Sequence, residues 1–345
     1  MLRRCYITLL LHIKNIITYR WWGIMELVSK LENPIRIKVT GKCNRKCFFC
    51  HQEGGMNIDS ITFSDKMKEM IETLSTELEM HSVALTGGEP LLHKDLAILS
   101  SQLMKCKGIE KISLTTNGTI AKGKEFWNEL KNNGLYKVNI SMPDILAGNA
   151  VHFEPLLCDI SSDSIFQNQR RIIRTLNLLG IEVKINIAVI NDELYTLSVL
   201  NQLLSMKDLN FEIVLLPNIT NEKTFSYSKT VIDNIISMMK LELVATRTRE
   251  YTSNSIFFYE NEDGKKINVK TTKLNNTPKW LTSMCKNCML RNKCQEGFYG
   301  LRIEQVEGIL YVRLCIHKSS KETLMTFDEF IESAPFYELK EHWGR

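Results

Sequence analysis

The stretch Ile35-Arg36-Ile37-Lys38-Val39-Thr40, followed at once by Gly41-Lys42-Cys43-Asn44-Arg45-Lys46-Cys47-Phe48-Phe49-Cys50, decides how the rest of this chain is read. Apolar, β-branched residues at alternate positions predict a strand over residues 34–40. The thiols of Cys43, Cys47 and Cys50 follow within eight residues, in the pattern C-x3-C-x2-C, so they fall on the loop past that strand. A loop can curl three thiolates around one small inorganic object. Three thiolates hold three irons of a [4Fe–4S] cube and leave the fourth iron without a protein ligand. An open iron is a reaction site, because something else can bind there. A zinc loop with His51 as fourth ligand is the competing reading.

Outward from this loop, strand and helix patterns alternate about six times. Strands are expected over 34–40, 82–85, 112–115, 138–141, 181–190 and 211–216, with helices over 61–79, 96–104, 125–132 and 165–179. That alternation predicts the α/β class: a parallel sheet with crossover helices, long enough for a (βα)6 partial TIM barrel. In parallel barrels chemistry gathers at the carboxyl ends of the strands. Gly87-Gly88-Glu89-Pro90, Thr115-Thr116-Asn117-Gly118 and Ser141 all fall at such ends. The glycine pair lets backbone approach a ligand closely, and the proline stiffens the exit. Arg36 and Lys184 alternate with apolar residues inside strands, which points them into the lumen, where they would hold a phosphate or carboxylate. A solvated edge strand is the alternative.

Three parts are expected: an N-terminal amphipathic extension over 1–33, a core barrel over 34–225 and a small cysteine-rich domain over 226–345. Residues 6–27 are too interrupted by Lys14, Arg20 and Glu26 for a membrane span or a signal peptide, and read as an amphipathic helix packed on the body. Residues 145–164 show no clear period and read as a loop over the barrel mouth, and 247–276 as polar and irregular. In the last part, Cys285-x2-Cys288-x5-Cys294 with Cys315 is a second metal spacing, before and within a hairpin-like stretch over 299–315. Four thiols would close that site, whereas three would leave an iron for substrate; a zinc ribbon is the alternative. Cys5, Cys106 and Cys158 read as ordinary buried residues.

The chain has 345 residues, ten cysteines and a formal charge of +5. Cysteines so sparse yet so clustered exclude a disulfide scaffold and point to metal ligation in a reducing, cytoplasmic compartment. The mild positive charge suits an anionic small substrate and does not call for nucleic acid.

The thiol trio, with Phe49 before its last cysteine and Gly87-Gly88-Glu89-Pro90 downstream, resembles the signature of the radical S-adenosylmethionine (SAM) superfamily. The resemblance implies that SAM caps the open iron and that an electron from the cluster cleaves it to methionine and a 5′-deoxyadenosyl radical. It also implies cofactor contacts at Phe49, Gly87, Gly88, Glu89 and Ser141, with Glu89 more a brace than a contact. Substrate contacts are implied at Arg36, Thr115, Lys184 and Arg302, and a second [4Fe–4S] cluster on Cys285, Cys288, Cys294 and Cys315. An electron donor such as flavodoxin or ferredoxin is implied as well. The likeness is greatest to the branch with a C-terminal auxiliary cluster of Twitch or SPASM type, which includes the GTP 3′,8-cyclase of molybdenum cofactor biosynthesis. Departures set this chain apart from that enzyme: Ala84 stands where it has an arginine, the C-x2-C-x5-C spacing differs, and the end His342-Trp343-Gly344-Arg345 lacks its Gly-Gly. The expected activity is therefore hydrogen abstraction from an anionic nucleotide or related metabolite. A maturase of ribosomal peptides is the second reading, and a non-catalytic metal-binding module the third.

Overall fold

The structure is a computed structural model, and it describes all residues except 1–15, 22–23, 30–32, 48, 51–58, 144–161, 250–254, 272–280, 293, 295–296, 318–322 and 345. His51, Cys5, Cys158 and nearly all of the expected 145–164 loop lie outside the described residues.

β-branched and aromatic residues crowd a helix and favour extended chain. Accordingly β1 (Ile16–Trp21) and β2 (Ile24–Ser29) form an antiparallel hairpin, with Ile16 opposite Ser29 and Trp21 opposite Ile24. The helix expected over 6–27 is corrected to strands wherever this region is described.

The core is six strand–helix units in chain order. β3 (Ile35–Thr40) is followed by α1 (Asp65–Glu77), β4 (Ser82–Gly87) by α2 (Leu96–Met104), and β5 (Lys111–Thr116) by α3 (Lys124–Asn132). Then come β6 (Leu135–Pro143) and α4 (Ser162–Leu178), β7 (Glu182–Val189) and α5 (Glu193–Leu204), and β8 (Glu212–Pro217) and α6 (Glu222–Met238). All six strands pair in parallel with their chain neighbours. The helices form where apolar residues recur every three or four positions: α1 buries Met67, Met70, Ile71 and Leu74, and Ser64 caps it by accepting the Met67 N–H.

Strand alternation sorts the two faces of the sheet. Ile35, Ile37, Val39, Val83, Leu85, Ile112, Leu114, Val138, Ile140, Val183, Ile185 and Ile187 are buried in one apolar core with the helices. The intervening residues, from Arg36 through Ala84, Ser113, Asn139 and Lys184 to Glu212, therefore share the opposite, lumen face.

Both edges are extended. On one side β9 (Glu242–Arg249), β10 (Ser255–Glu260) and β11 (Lys266–Thr271) form an antiparallel set, with β11 parallel to β8 and β9 parallel to β2. Where residues 247–276 are described, this corrects their irregular reading: Lys266-Ile267-Asn268-Val269-Lys270 alternates as a strand should. The helix α6 runs across the expected 225/226 boundary and ends at Met238. The short α7 (Thr282–Cys285) leads to β12 (Arg302–Val306) and β13 (Ile309–Arg313), a hairpin turned by Glu307 and Gly308, both at positive φ. β12 lies parallel to β3, with Arg302 beside Arg36. β14 (Leu324–Thr326), α8 (Phe327–Ile331) and α9 (Ala334–Trp343) complete the chain. Among the described residues no helix is long and apolar enough to cross a membrane.

Candidate active site

The cysteine loop leaves the carboxyl end of β3 and is pinned from below by backbone. The Gly88 N–H donates to Thr40 O and the Glu89 N–H to Lys42 O, each at 2.8 Å. This approach is why two glycines stand there. A Cβ at Gly87 would lie 2.4 Å from Thr40 O, and one at Gly88 2.2 Å from Lys42 O. The glycines thus serve the loop that carries the thiols, whatever else approaches them.

Glu89 is fully buried, and its carboxylate accepts from the Leu91 N–H (3.0 Å), the Thr116 hydroxyl (2.7 Å) and the Asn117 N–H (2.7 Å). Burial pushes its carboxyl above the usual range, against those three donors and Arg45. With its oxygens committed inside the fold, Glu89 ties β4 to the end of β5. These three internal donors give Glu89 the geometry of a brace.

A second tie runs from the loop itself. The Asn44 amide donates to Thr119 Oγ1 at 2.8 Å and accepts from Asn117 Nδ2 at 3.0 Å, so both ends of its amide grip the segment past β5. Asn117 in turn accepts from the Thr119 N–H and hydroxyl, and its carbonyl accepts from Gln169 of α4.

On this frame Cys43 and Cys50 are exposed and Cys47 is half-buried. The Arg45 N–H points at Cys43 Sγ (3.4 Å), and the Cys50 N–H closes a turn on Cys47 O (3.0 Å). Burial raises the Cys47 thiol to about 11, with Cys50 and Cys43 adding to it and Arg45 opposing. The Cys43 thiol is raised too, by burial first, then by Glu89 and Cys50, against the Arg45 N–H. Mutual coupling of this kind places the three thiols near one another. Among the described residues no three acidic, histidine or cysteine side chains are closed to metal-ligating distance. The donor set itself, three accessible thiols with one N–H directed at sulfur, fits an iron–sulfur cluster. Phe49 is half-buried beside Cys50, and Ser141 lies on the lumen side of β6 in register with Asn186.

Below the strand ends the lumen is polar and cationic. Arg36 Cζ lies 5.3 Å, Arg302 Cζ 5.5 Å and Lys270 Nζ 4.2 Å from the centroid of the Tyr299 ring, and the Tyr299 hydroxyl also hydrogen-bonds Lys270. Such contacts hold cations against the negative face of an aromatic ring. Lys184 belongs to the same group: burial, then the charge of Lys270, pull its ammonium down to about 7, against Glu212 and Tyr299. Glu212 accepts from Asn268 (2.7 Å) and pairs with Lys137 (3.4 Å). Lys38 is buried and paired with Glu304 at 2.8 Å, and the same carboxylate takes Arg313 through both nitrogens of its fork. Asn139 reaches Thr115 at 3.4 Å, while its Oδ1 is buried without a partner among the described residues. Ala84 sits between Arg36 and Ser113 in the same layer, so the adjoining arginine comes from β12.

The structure thus brings Arg36, Lys184 and Arg302 into one region of the lumen, together with Lys270, Tyr299, Glu212 and Asn139. Lys270 shows the same cation-in-a-strand signal as Arg36. Tyr299 carried no signal.

The second cysteine set draws on three segments. Cys285 ends α7 and is buried; Cys288, Cys294 and Cys315 are half-buried. Burial, with Cys315, Cys288 and Cys294 adding, raises the Cys285 thiol to about 11, so the other three thiols all lie within electrostatic reach of Cys285. The Gly297 N–H points at Cys294 Sγ at 3.3 Å. Glu338 of α9 anchors this segment by accepting from the Thr282 and Ser283 N–H groups at 2.6 and 2.7 Å. His317, two residues past Cys315, has its imidazole lowered by burial and by Arg302, which links this set to the cationic lumen. Cys106 is buried in the core, as expected.

Residues 37–195 match the Radical SAM superfamily. The GTP 3′,8-cyclase of Staphylococcus saprophyticus is 27% identical over 315 residues, covering 83% of this chain and 84% of that protein. That of Staphylococcus carnosus is 26% identical over 305 residues, with the same coverage. The solved structure "Native anSMEcpe with bound AdoMet" superposes with a TM-score of 0.52 at 17% identity, over 89% of this chain and 82% of that one, which shows a shared fold. The chain carries a radical SAM domain and is an enzyme.

Proposed function

We propose that this radical SAM enzyme abstracts hydrogen from an anionic small molecule, a nucleotide or related metabolite, held in the barrel lumen. One observation carries the reading: Arg36, Lys270 and Arg302 arrive from three strands and converge on the Tyr299 ring, with Lys184 of β7 buried within electrostatic reach of Lys270 and Tyr299. Guanidinium forks and ammonium groups collected in a half-dry lumen are how proteins hold phosphate or carboxylate. The buried, partnerless Asn139 Oδ1 offers an acceptor to a substrate hydroxyl or amino group.

Cys43, Cys47 and Cys50 would hold the [4Fe–4S] cluster, which supplies the electron that cleaves bound SAM to a 5′-deoxyadenosyl radical. Asn44, Glu89 and the glycine pair keep the loop fixed to the ends of β3, β4 and β5, so the thiols stay above the lumen. Gly87, Gly88 and Ser141 border the space where SAM would lie. Arg302 and Arg36 orient the substrate from adjacent strands, and Thr115 and Asn139 line the wall next to Lys184. Cys285, Cys288, Cys294 and Cys315 would hold a second [4Fe–4S] cluster, a reading supported by the action of the other three thiols on Cys285. The reductant would be a flavodoxin or ferredoxin in a cytoplasmic setting.

The test is anaerobic reconstitution followed by assay of 5′-deoxyadenosine with SAM, dithionite and a panel of nucleotides, phosphorylated metabolites and peptides. Stimulation by a phosphorylated small molecule is expected. Stimulation by peptides alone would overturn the reading in favour of a peptide maturase.

A further inference from the structure

Three loops leave the carboxyl ends of β3, β4 and β5, which are neighbours in the sheet. They span residues 41–50, 88–95 and 117–123, and hydrogen bonds join them into one surface. Asn44 holds Asn117 and Thr119, and the Glu89 N–H donates to Lys42 O. The helices that follow the second and third loops, α2 and α3, pack against each other. Their first turns therefore border the loop that carries Cys43, Cys47 and Cys50.

Charge on this surface is uneven. Lys42, Lys46, Lys94 and Lys124 are exposed, and Lys122 is half-buried with its Nζ 5.0 Å from the centroid of the Phe126 ring. Among the described residues none of these five ammonium groups is held in an ion pair. The exposed carboxylates on the same segments are Asp95 and Glu125. Glu89 is buried and committed to internal donors, and Asp59 accepts from the Gly308 N–H. Arg45 is half-buried and already partnered. Apolar side chains lie among the lysines: Leu92 is 37% and Ile98 58% exposed, and Ile120 and Phe126 are partly buried. Lys42 directly precedes Cys43, and Lys46 directly precedes Cys47. An exposed apolar patch ringed by one sign of charge suits brief docking of an oppositely charged protein. Proteins that pass single electrons to one another form small, weak interfaces of this kind.

We propose that Lys42, Lys46, Lys94, Lys122 and Lys124, with Leu92 and Ile98, form the docking surface for a small acidic one-electron carrier protein that reduces the cluster on Cys43, Cys47 and Cys50. One electron leaves the carrier, which is oxidised, and enters the cluster, which is reduced; no covalent bond forms or breaks. The lysines steer the carrier to the surface, and the apolar pair seats it. The proposal rests on the reading above that these thiols hold a reducible cluster, and adds the face by which its reductant approaches.

Stopped-flow reduction of the reconstituted full-length enzyme by reduced flavodoxin, without substrate and read as bleaching of the cluster absorption, tests it. At low salt the variant Lys46→Glu/Lys94→Glu/Lys122→Glu/Lys124→Glu should lower the second-order rate at least about tenfold, the lower end of the range over which charge steering acts. Added salt should slow wild type and leave the variant nearly unchanged. Surface plasmon resonance on immobilised flavodoxin should show the same loss of binding, with the metal-free protein as well. Reduction by dithionite, which needs no docking, should match wild type, as should dithionite-driven 5′-deoxyadenosine formation. Lys223→Glu/Lys229→Glu, a charge reversal on the exposed face of α6, should keep the wild-type rate. Equal rates for wild type and the loop variant would overturn the proposal, as would an equal loss in the α6 control. Unchanged flavodoxin rates, with the loop variant losing a wild-type affinity for anionic phospholipid vesicles, would assign the lysines to a membrane surface instead. If dithionite reduces wild type but neither flavodoxin nor ferredoxin does, the docking surface falls and the anionic-substrate reading stands. If carrier-driven reduction follows the lysines but no small anion stimulates 5′-deoxyadenosine, the docking surface stands and that reading falls. The milder Lys94→Gln/Lys122→Gln/Lys124→Gln variant should show a smaller loss of the same sign, and decides the matter should the glutamate variant fail to fold.

Discussion

The two cysteine sets are built by opposite means. Cys43, Cys47 and Cys50 lie within eight residues of one loop, and two of them face solvent. Cys285, Cys288, Cys294 and Cys315 come from a short helix, the link after it and the far side of a hairpin, and the first of them is buried. The first set is local and needs the rest of the fold only to hold its loop still. Glu89, Asn44 and the Gly87-Gly88 pair do that from neighbouring strand ends. The second set exists only once β12 and β13 have docked beside β3. Three thiols leave a metal open to a ligand and four close it, so on the proposed reading the first set suits reaction and the second anchoring. Each set nevertheless aims one backbone N–H at a sulfur, Arg45 at Cys43 and Gly297 at Cys294.

This contrast can be broken most directly by removing thiols. Alanines at Cys43, Cys47 and Cys50 should abolish 5′-deoxyadenosine formation and remove about four irons, while leaving the second set loaded. Alanines at the C-terminal four should remove the other irons yet leave substrate-independent SAM cleavage. Iron counting with Mössbauer spectra decides, and a full metal load after loss of the first trio would falsify the assignment.

The next effect sharpens how the second set's hairpin is held to the barrel. Glu304→Gln leaves Lys38 and Arg313 beside a neutral amide, and breaking a buried pair in this way costs about 3–5 kcal/mol. Chemical denaturation of the metal-free protein should show it. Smaller again is Gly88→Ala, which sets a methyl against Lys42 O and should cost about 1–3 kcal/mol and loosen the first loop.

Lys184 gives a pH test of the ground between the sets. Its folded value, about 7, lies below the ordinary lysine value of 10.5, so the unfolded chain binds the extra proton between them. Stability should therefore rise with pH from about 7 to about 10.5, and Lys184→Met should flatten that rise. Anion affinity should run the other way, falling several-fold as pH passes through about 7, because a neutral Lys184 attracts no anion. Least of all, Asn44→Ala removes two hydrogen bonds from the first loop, at about 1 kcal/mol each. A lowered melting temperature of the metal-free protein checks this.

Much of this architecture was legible before any coordinates. The C-x3-C-x2-C loop, the strand-end glycines and the six strand–helix units are local patterns, since a period of two or of three to four residues is written along the chain itself. The first strands were misread because Ile16 to Trp21 mixes apolar runs with Arg20, and only pairing with β2 and then β9 fixes them as strands. Residues 247–276 were misread for the same reason. Glu89 illustrates the limit within a motif: its position was clear, but its burial under Thr116 and Asn117 was not.

What the sequence alone determined is where thiols, turns and alternating cations occur. What only the tertiary structure decided is which of them meet. Lys270 and Tyr299 reach Arg36 because β11 and β12 flank opposite ends of a curved wall, and Glu304 is held by Lys38 and Arg313 because β12 lies in register with β3. Contacts across a barrel seam depend on strand order and curvature, which no stretch of local pattern encodes.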